Sequence, residues 1–206
     1  MNTSETSFAD LTLRGFIGSI AAKTPAPGGG AVASAVGAIA AALANMVVSY
    51  SIGKKNLASH DALHQSAAHR LTRAAEIMLT LADEDAAAYS LVNELAKLPE
   101  TDSRRQAEYP EALLTAARIP LAVAAAAVDV LRLFHELSDK TNRYLRSDLA
   151  IAAVLADATV SASKWNVMIN LPGLPPDEAR AISDQLSHLL AESSRIRAEV
   201  EHACQV

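Results

Sequence analysis

Apolar positions in this 206-residue chain return every three or four residues, and nowhere in the strict alternation that a half-buried strand requires. Residues 4–22 read as a first amphipathic helix with Phe8, Leu11, Ile17 and Ile20 on its apolar side. Residues 30–51 read as an alanine-rich helix, and no charge occurs between positions 28 and 48. Residues 60–98 form a long helix whose buried side carries Leu71, Met78, Leu81, Tyr89, Val92 and Leu95, and Pro99 ends it. Residues 100–108 read as a charged surface linker. Pro110 suits the first turn of the next helix, which Pro120 should kink or interrupt before it resumes to Leu137. Ser147 or Asp148 is placed to cap a helix reaching about Asn170. Leu171-Pro-Gly-Leu-Pro-Pro breaks the chain ahead of a last helix over 177–204. The pattern predicts one all-α domain over residues 1–206, a bundle of long alanine-rich helices with a buried central helix after a Pro/Gly-rich loop.

Composition sharpens that picture. Half of the chain is hydrophobic but only 4% is aromatic, so alanine carries the apolar fraction. Small side chains let helix axes approach closely, yet bury less area per residue, so oligomerisation is expected to cover more. The uncharged run at 28–48 is long enough to span a bilayer. It is mostly Ala and Gly with Ser34 and Asn45 inside, whereas insertion favours Leu, Ile, Phe and Val; a soluble core helix is the reading, with no membrane partner. Its stripe of Gly30, Ser34, Gly37 and Ala41 should lie where helices meet, inside the bundle or at a homodimer interface. A net charge of −5 with no basic tract argues against nucleic acid. The single cysteine, Cys204, excludes an intrachain disulfide and a cysteine metal site. The polar start carries no leader pattern, so the cytoplasm is the expected compartment.

Candidate chemistry begins with Lys23-Thr-Pro-Ala-Pro-Gly-Gly-Gly-Ala-Val-Ala-Ser34. Pro25 and Pro27 favour extended backbone before them, and Gly28, Gly29 and Gly30 can take angles closed to other residues. A bare loop then feeds a helix N-terminus whose free N–H groups favour an anion or electron-rich group. Neither the Walker loop nor the dinucleotide fingerprint fits these residues; the competing reading is a glycine-rich turn that merely permits close packing. Lys54 and Lys55 follow the buried helix and either hold a carboxylate-bearing ligand or complement the helix dipole. Asp83, Glu84 and Asp85 interrupt an apolar stretch, so at least one should face inward, where a raised pKa would suit general acid–base work; a solvated acidic turn is the alternative. Asn142, Ser147 and Asp148 form a second polar group. Asn166 and Asn170 lie one turn apart among apolar residues, either to bind a ligand or to tie helix ends. His60 and His64 share a face, but no third ligand accompanies them, and a hydrated helix start is preferred to a metal site.

Taken together, Thr24-Pro-Ala-Pro-Gly-Gly-Gly, Gly53-Lys-Lys, Asp85-Ala-Ala-Ala-Tyr89, Asn142 with Ser147-Asp148, and Asn166-Val-Met-Ile-Asn170-Leu resemble the cyclodeaminase/cyclohydrolase family of folate enzymes. The resemblance covers nearly the whole chain. It implies a helical homodimer acting on one-carbon tetrahydrofolates as small-molecule substrates, with no cofactor and no metal. It implies Asp85 as the catalytic acid, with Asp148 next in line. Substrate contacts are implied at Pro27, Gly28, Gly29, Gly30, Lys54, Lys55, Asn142, Ser147, Asn166 and Asn170. The chain departs from the family pattern at Tyr144, Leu149 and Ala162. The expected reaction is hydrolysis of 5,10-methenyltetrahydrofolate to 10-formyltetrahydrofolate, favoured because the chain carries no formiminotransferase segment. The alternatives are formimidoyltetrahydrofolate cyclodeamination with release of ammonia and, given the departures, a folate-binding or structural helical dimer without activity.

Overall fold

A computed structural model describes residues 7–205. Its helices are α1 (Leu13–Ile20), α2 (Gly29–Ser49), α3 (Asp61–Ala96), α4 (Ser103–Leu137), α5 (Arg146–Asn170) and α6 (Pro176–Cys204). No strand occurs among the described residues, as the helical periodicity requires. Helices α2 to α5 close a four-membered ring in which α2 and α4 each pack on both α3 and α5; α6 lies outside against α4 and α5. The alanine face of α2 makes the ring tight: Ala31, Ala40, Ala41 and Ala44 are wholly enclosed. A β-carbon on Gly37 would stand 2.6 Å from Met78 Sδ and 3.1 Å from Thr159 Cγ2, so only glycine admits α3 and α5 this close. The stripe of Gly30, Ser34, Gly37 and Ala41 is therefore buried as expected, but inside its own protomer rather than at a surface. Helices α2 and α4 are each long and apolar enough to cross a membrane, and 56% of the most apolar window of each is buried within the protein. Ion pairs fasten α6: Arg132 donates to both Glu192 oxygens at 2.8 and 2.7 Å, and Arg197 meets Asp157 at 3.2 Å.

Several expectations need correction. The helix expected over 4–22 is two pieces, a 3-10 turn at Phe8–Asp10 and α1, because Ser7 and Thr12 each cap a new start; residues 4–6 lie outside the described residues. The expected linker at 100–108 is mostly helix. Asp102 accepts from the N–H groups of Arg104 and Arg105, so α4 begins at Ser103 and Pro110 sits two turns inside it. Pro120 does not interrupt α4 either. The Ala116 carbonyl, which a proline four residues on cannot serve, accepts from Asn170 Nδ2 at 3.1 Å instead. The cap before α5 is Asn142, whose Oδ1 accepts from Tyr144 N at the head of a 3-10 turn, so Ser147 and Asp148 fall within the first helical turn. Tyr89, expected in the core, is 50% exposed. His64 is fully buried rather than hydrated, donating from Nε2 to the Lys140 carbonyl at 2.7 Å. The left-handed conformation expected at residues 28–30 occurs instead at Gly53, with φ 73°.

Candidate functional site

A cleft of about 320 Å³ opens where the N-terminus of α2 meets the middle of α3 and the C-terminus of α5. Gly28 caps α2 in an extended conformation with no side-chain cap. The orphan N–H groups of the first turn are thus left for a ligand, and Gly28, Gly29 and Gly30 all line the cleft. The glycines are used for closeness rather than for unusual angles. A β-carbon on Gly30 would fall 2.2–2.3 Å from the Asp85 carboxylate atoms, and one on Gly29 would fall 3.2 Å from Asn166 Oδ1. The Asp85 carboxylate and the Asn166 amide therefore lie directly on the bare backbone at the start of α2.

Asp85 is the one charged residue lining this cleft among the described residues. Burial alone pushes its carboxyl above the ordinary value, with no neighbouring charge to offset the lost hydration. Tyr89, one turn further along α3, offers a half-exposed ring at the mouth, with Ile169 beside it. Such a wall suits a flat aromatic ligand. Asn170 also lines the cleft, but its amide donates to the Ala116 and Asn166 carbonyls, so it ties α5 to α4. Pro27 is buried and lines an adjoining cleft of about 630 Å³, shared at Ala26 and Ala86. Asp83 faces that second space, where it accepts from Ser7 Oγ at 2.5 Å and Phe8 N at 2.9 Å and anchors the N-terminal segment. One helix thus presents two carboxylates with different duties, because a two-residue offset turns them about 200° apart.

The other expected site residues gather at the opposite end of the bundle. There the end of α2 meets the start of α5, and Asn142 N donates to Ser51 Oγ at 2.9 Å. Lys54 and Lys55 follow Gly53 there, and Lys54 helps hold the Tyr144 hydroxyl below the usual phenol range, behind the stronger effect of its hydrogen bond from Arg143 at 2.7 Å. Ser147 and Asp148 stand in the first turn of α5. The rise from Asp148 to Asn166 along α5 is about 27 Å, and α2 spans about 30 Å between its ends. Within one chain the structure does not bring Lys54, Lys55, Asn142, Ser147 or Asp148 to the Asp85 cleft. Sequence reasoning placed Tyr89 in the core and so missed it as a cleft wall. Its helical face is shared with apolar neighbours, and the periodicity cannot tell a core position from a pocket position.

The family described as Formiminotransferase-cyclodeaminase matches residues 12–189. The formimidoyltransferase-cyclodeaminase of Mus musculus is 33% identical over 194 residues, covering 92% of this chain; the chain spans only 36% of that protein, about a third of its length. The methenyltetrahydrofolate cyclohydrolase of Methylorubrum extorquens is 29% identical over 197 residues, covering 92% of this chain and 93% of that one. Among solved structures, the formiminotetrahydrofolate cyclodeaminase of Thermotoga maritima superposes with a TM-score of 0.88 at 30% identity, over 95% of this chain and 96% of that one.

Proposed function

The chain belongs to the formiminotransferase-cyclodeaminase family, and from that premise we propose that it hydrolyses 5,10-methenyltetrahydrofolate to 10-formyltetrahydrofolate. The observation that carries the reading is Asp85: a partly buried carboxylate with a raised pKa, pressed against the uncapped N-terminus of α2 in a cleft with no other charged lining residue among those described. The methenyl bridge is a cation delocalised over two nitrogens, and one carboxylate in a neutral, part-buried cleft attracts it more strongly than in water. Water attacks the bridging carbon. Asp85 takes a proton from that water as the tetrahedral adduct forms. The adduct collapses to the formyl carbonyl as its bond to one folate nitrogen breaks, and Asp85 returns a proton to that nitrogen. One proton is released overall and no electrons are transferred, so no redox cofactor enters the balance. The α2 N–H groups and the Asn166 amide stand where they can donate to the oxygen on the tetrahedral carbon. Pro27 and the glycine loop shape the wall, and Tyr89 stacks on the flat part of the substrate.

The second reading is cyclodeamination, which passes through the same kind of tetrahedral carbon, with a folate nitrogen as nucleophile and ammonia as leaving group. The close superposition on the Thermotoga maritima cyclodeaminase favours it. In both readings the working form is a homodimer in the cytoplasm, acting on a small-molecule folate without metal, nucleic acid or membrane. The net charge of −5 argues against nucleic acid, and the exposed Ile39, Ile151, Val154 and Trp165 side chains support a second copy of the chain that covers them. Loss of the methenyl ultraviolet absorbance, run beside a formimino substrate with ammonia detection, separates the two reactions. Turnover of neither substrate by folded protein would leave a folate-binding or structural dimer.

A further inference from the structure

The Asp85 cleft does not end at Ala86. That small side chain also lines the adjoining space of about 630 Å³, a slot between α3 and the N-terminal segment. Ala86 and Ala87 leave room on the α3 side for something flat. Phe8 lines the slot from the N-terminal segment and is steadied by Phe16, their ring centroids 5.9 Å apart. Asp83 is the one charged residue lining this slot among the described residues. Its half-buried carboxylate accepts from Ser7 Oγ and from the Phe8 N–H. A carboxylate offers about four acceptor positions, so holding the chain end uses about half of them. Asp83 and Asp85 thus serve two connected spaces from one helix, turned about 200° apart. A helix with its side chains is about 10–12 Å across, which sets the two carboxylates about 10 Å apart.

A reduced folate has the complementary shape. Its pterin bicycle ends in a 2-amino-4-oxopyrimidine, where the ring N3–H and the exocyclic amino group are adjacent donors pointing the same way. A carboxylate matches such a pair, as it matches the fork of an arginine. The methenyl carbon lies on the far side of the bicycle, about 6 Å from the amino group at ordinary bond lengths. With a hydrogen bond at one end and a close contact at the other, the ligand reaches roughly 12 Å between two acids, enough to pass over Ala86. The opposite flank of the cleft offers no such acceptor. Beyond Ile169 and Asn170 the groove is lined by Tyr109, Pro110, Leu113 and Pro175, with no charged side chain among the described residues, and the Asn170 amide already donates to two carbonyls. We propose that the slot is the pterin site: Asp83 accepts the N3–H and 2-amino donors of the substrate, the Phe8 ring stacks on the bicycle, and Asp85 works on the bridging carbon across Ala86. Asp83 is then the residue that selects the pterin edge, and the proposal rests on the folate reading for its ligand.

Steady-state kinetics with 5,10-methenyltetrahydrofolate and with an analogue carrying a methyl group in place of the 2-amino group test the assignment, since both present the same reacting carbon. Wild type should show a KM about tenfold higher for the analogue at similar kcat, as expected when one hydrogen bond to a charged group is lost from binding. Asp83→Ala should raise the KM for the parent about 10–100-fold, keep kcat within about twofold, and treat the two substrates alike, because the group that tells them apart is gone. A residue that only clasps the N-terminal segment behaves differently: Asp83→Ala would then weaken both substrates by one factor and keep the tenfold preference, which overturns the slot. A second variant covers the case in which Asp83→Ala does not fold. Ala87 is exposed and lines the slot, so Ala87→Phe fills it without burdening the core and should raise the KM at least about tenfold with kcat retained. An unchanged KM for Ala87→Phe overturns the proposal. Wild type that turns over parent and analogue equally well also overturns it and leaves the folate reading standing. Wild type that turns over neither the methenyl nor the formimino substrate overturns the folate reading itself, and the pterin assignment falls with it.

Discussion

Asp85 is held in place by an absence, the missing side chain of Gly30. Gly30→Ala puts a carbon where the carboxylate now lies and must push Asp85 outward. We expect turnover to fall on the order of 10²–10⁴-fold, the range for a lost general acid–base group, with a circular-dichroism spectrum unlike that of an unfolded chain. A fully active Gly30→Ala protein would show that the carboxylate need not touch the start of α2. Asp85→Asn keeps the shape and should lose turnover by a similar factor, on the order of 10²–10⁴, along with the pH limb that the carboxyl controls. The stability consequence has the opposite sign. The folded state binds the Asp85 proton more tightly than the unfolded chain does, so the stability linked to it is present below the ordinary carboxylate pKa and lost as pH rises through the folded value. Asp85→Asn should therefore melt higher than wild type at neutral pH and lose that advantage in acid, which thermal melts across pH will read. Asp83 shows why neighbours in sequence do not share a role. It caps Ser7 and Phe8, so Asp83→Asn should loosen the N-terminal segment and leave the chemical step largely intact.

At the scale of elements, α4 runs through two prolines because its neighbours and solvent take over what the backbone loses. Pro120 leaves the Ala116 carbonyl without its helical donor, and Asn170 of α5 supplies one. Asn170→Ala removes that donor at a half-buried site and should cost about 1–3 kcal/mol. Pro120→Ala restores the backbone N–H, so the cost of Asn170→Ala should shrink in that background. Denaturant melts of the two single variants and the double variant give the coupling; strictly additive losses would mean the Asn170 bond does not stand in for the donor that Pro120 removes. Because Asn170 also lies at the cleft, loosening it should shift Asn166 and raise the KM before it changes the fold. The end of α5 was legible as a pair of asparagines among apolar residues. What was not legible was their division of labour. Asn170 serves a carbonyl freed 54 residues earlier in the chain, and no local spacing encodes that meeting.

For the whole molecule, the small-residue stripe of α2 decides how tightly the ring closes. Gly37→Leu drives a side chain into Met78 and Thr159 and should cost on the order of 1–3 kcal/mol or more. Since that contact lies inside one protomer, the loss should appear in the melting temperature at every protein concentration. A Gly37→Leu protein of unchanged stability but altered oligomeric state would return the stripe to an interface. The sequence by itself determined the all-helical class, the buried α2, the breaks near residues 53, 99 and 171, and the polar motifs, because helical period, proline, glycine and charge are properties of neighbours along the chain. Tertiary structure alone decided that Asp83 anchors the N-terminal segment, that Tyr89 walls the cleft instead of packing in the core, and that the expected binding residues stand at the two ends of a helix pair about 30 Å long. Those are matters of packing between segments far apart in sequence, where one β-carbon more or less sets the distance and local pattern carries no information about the partner.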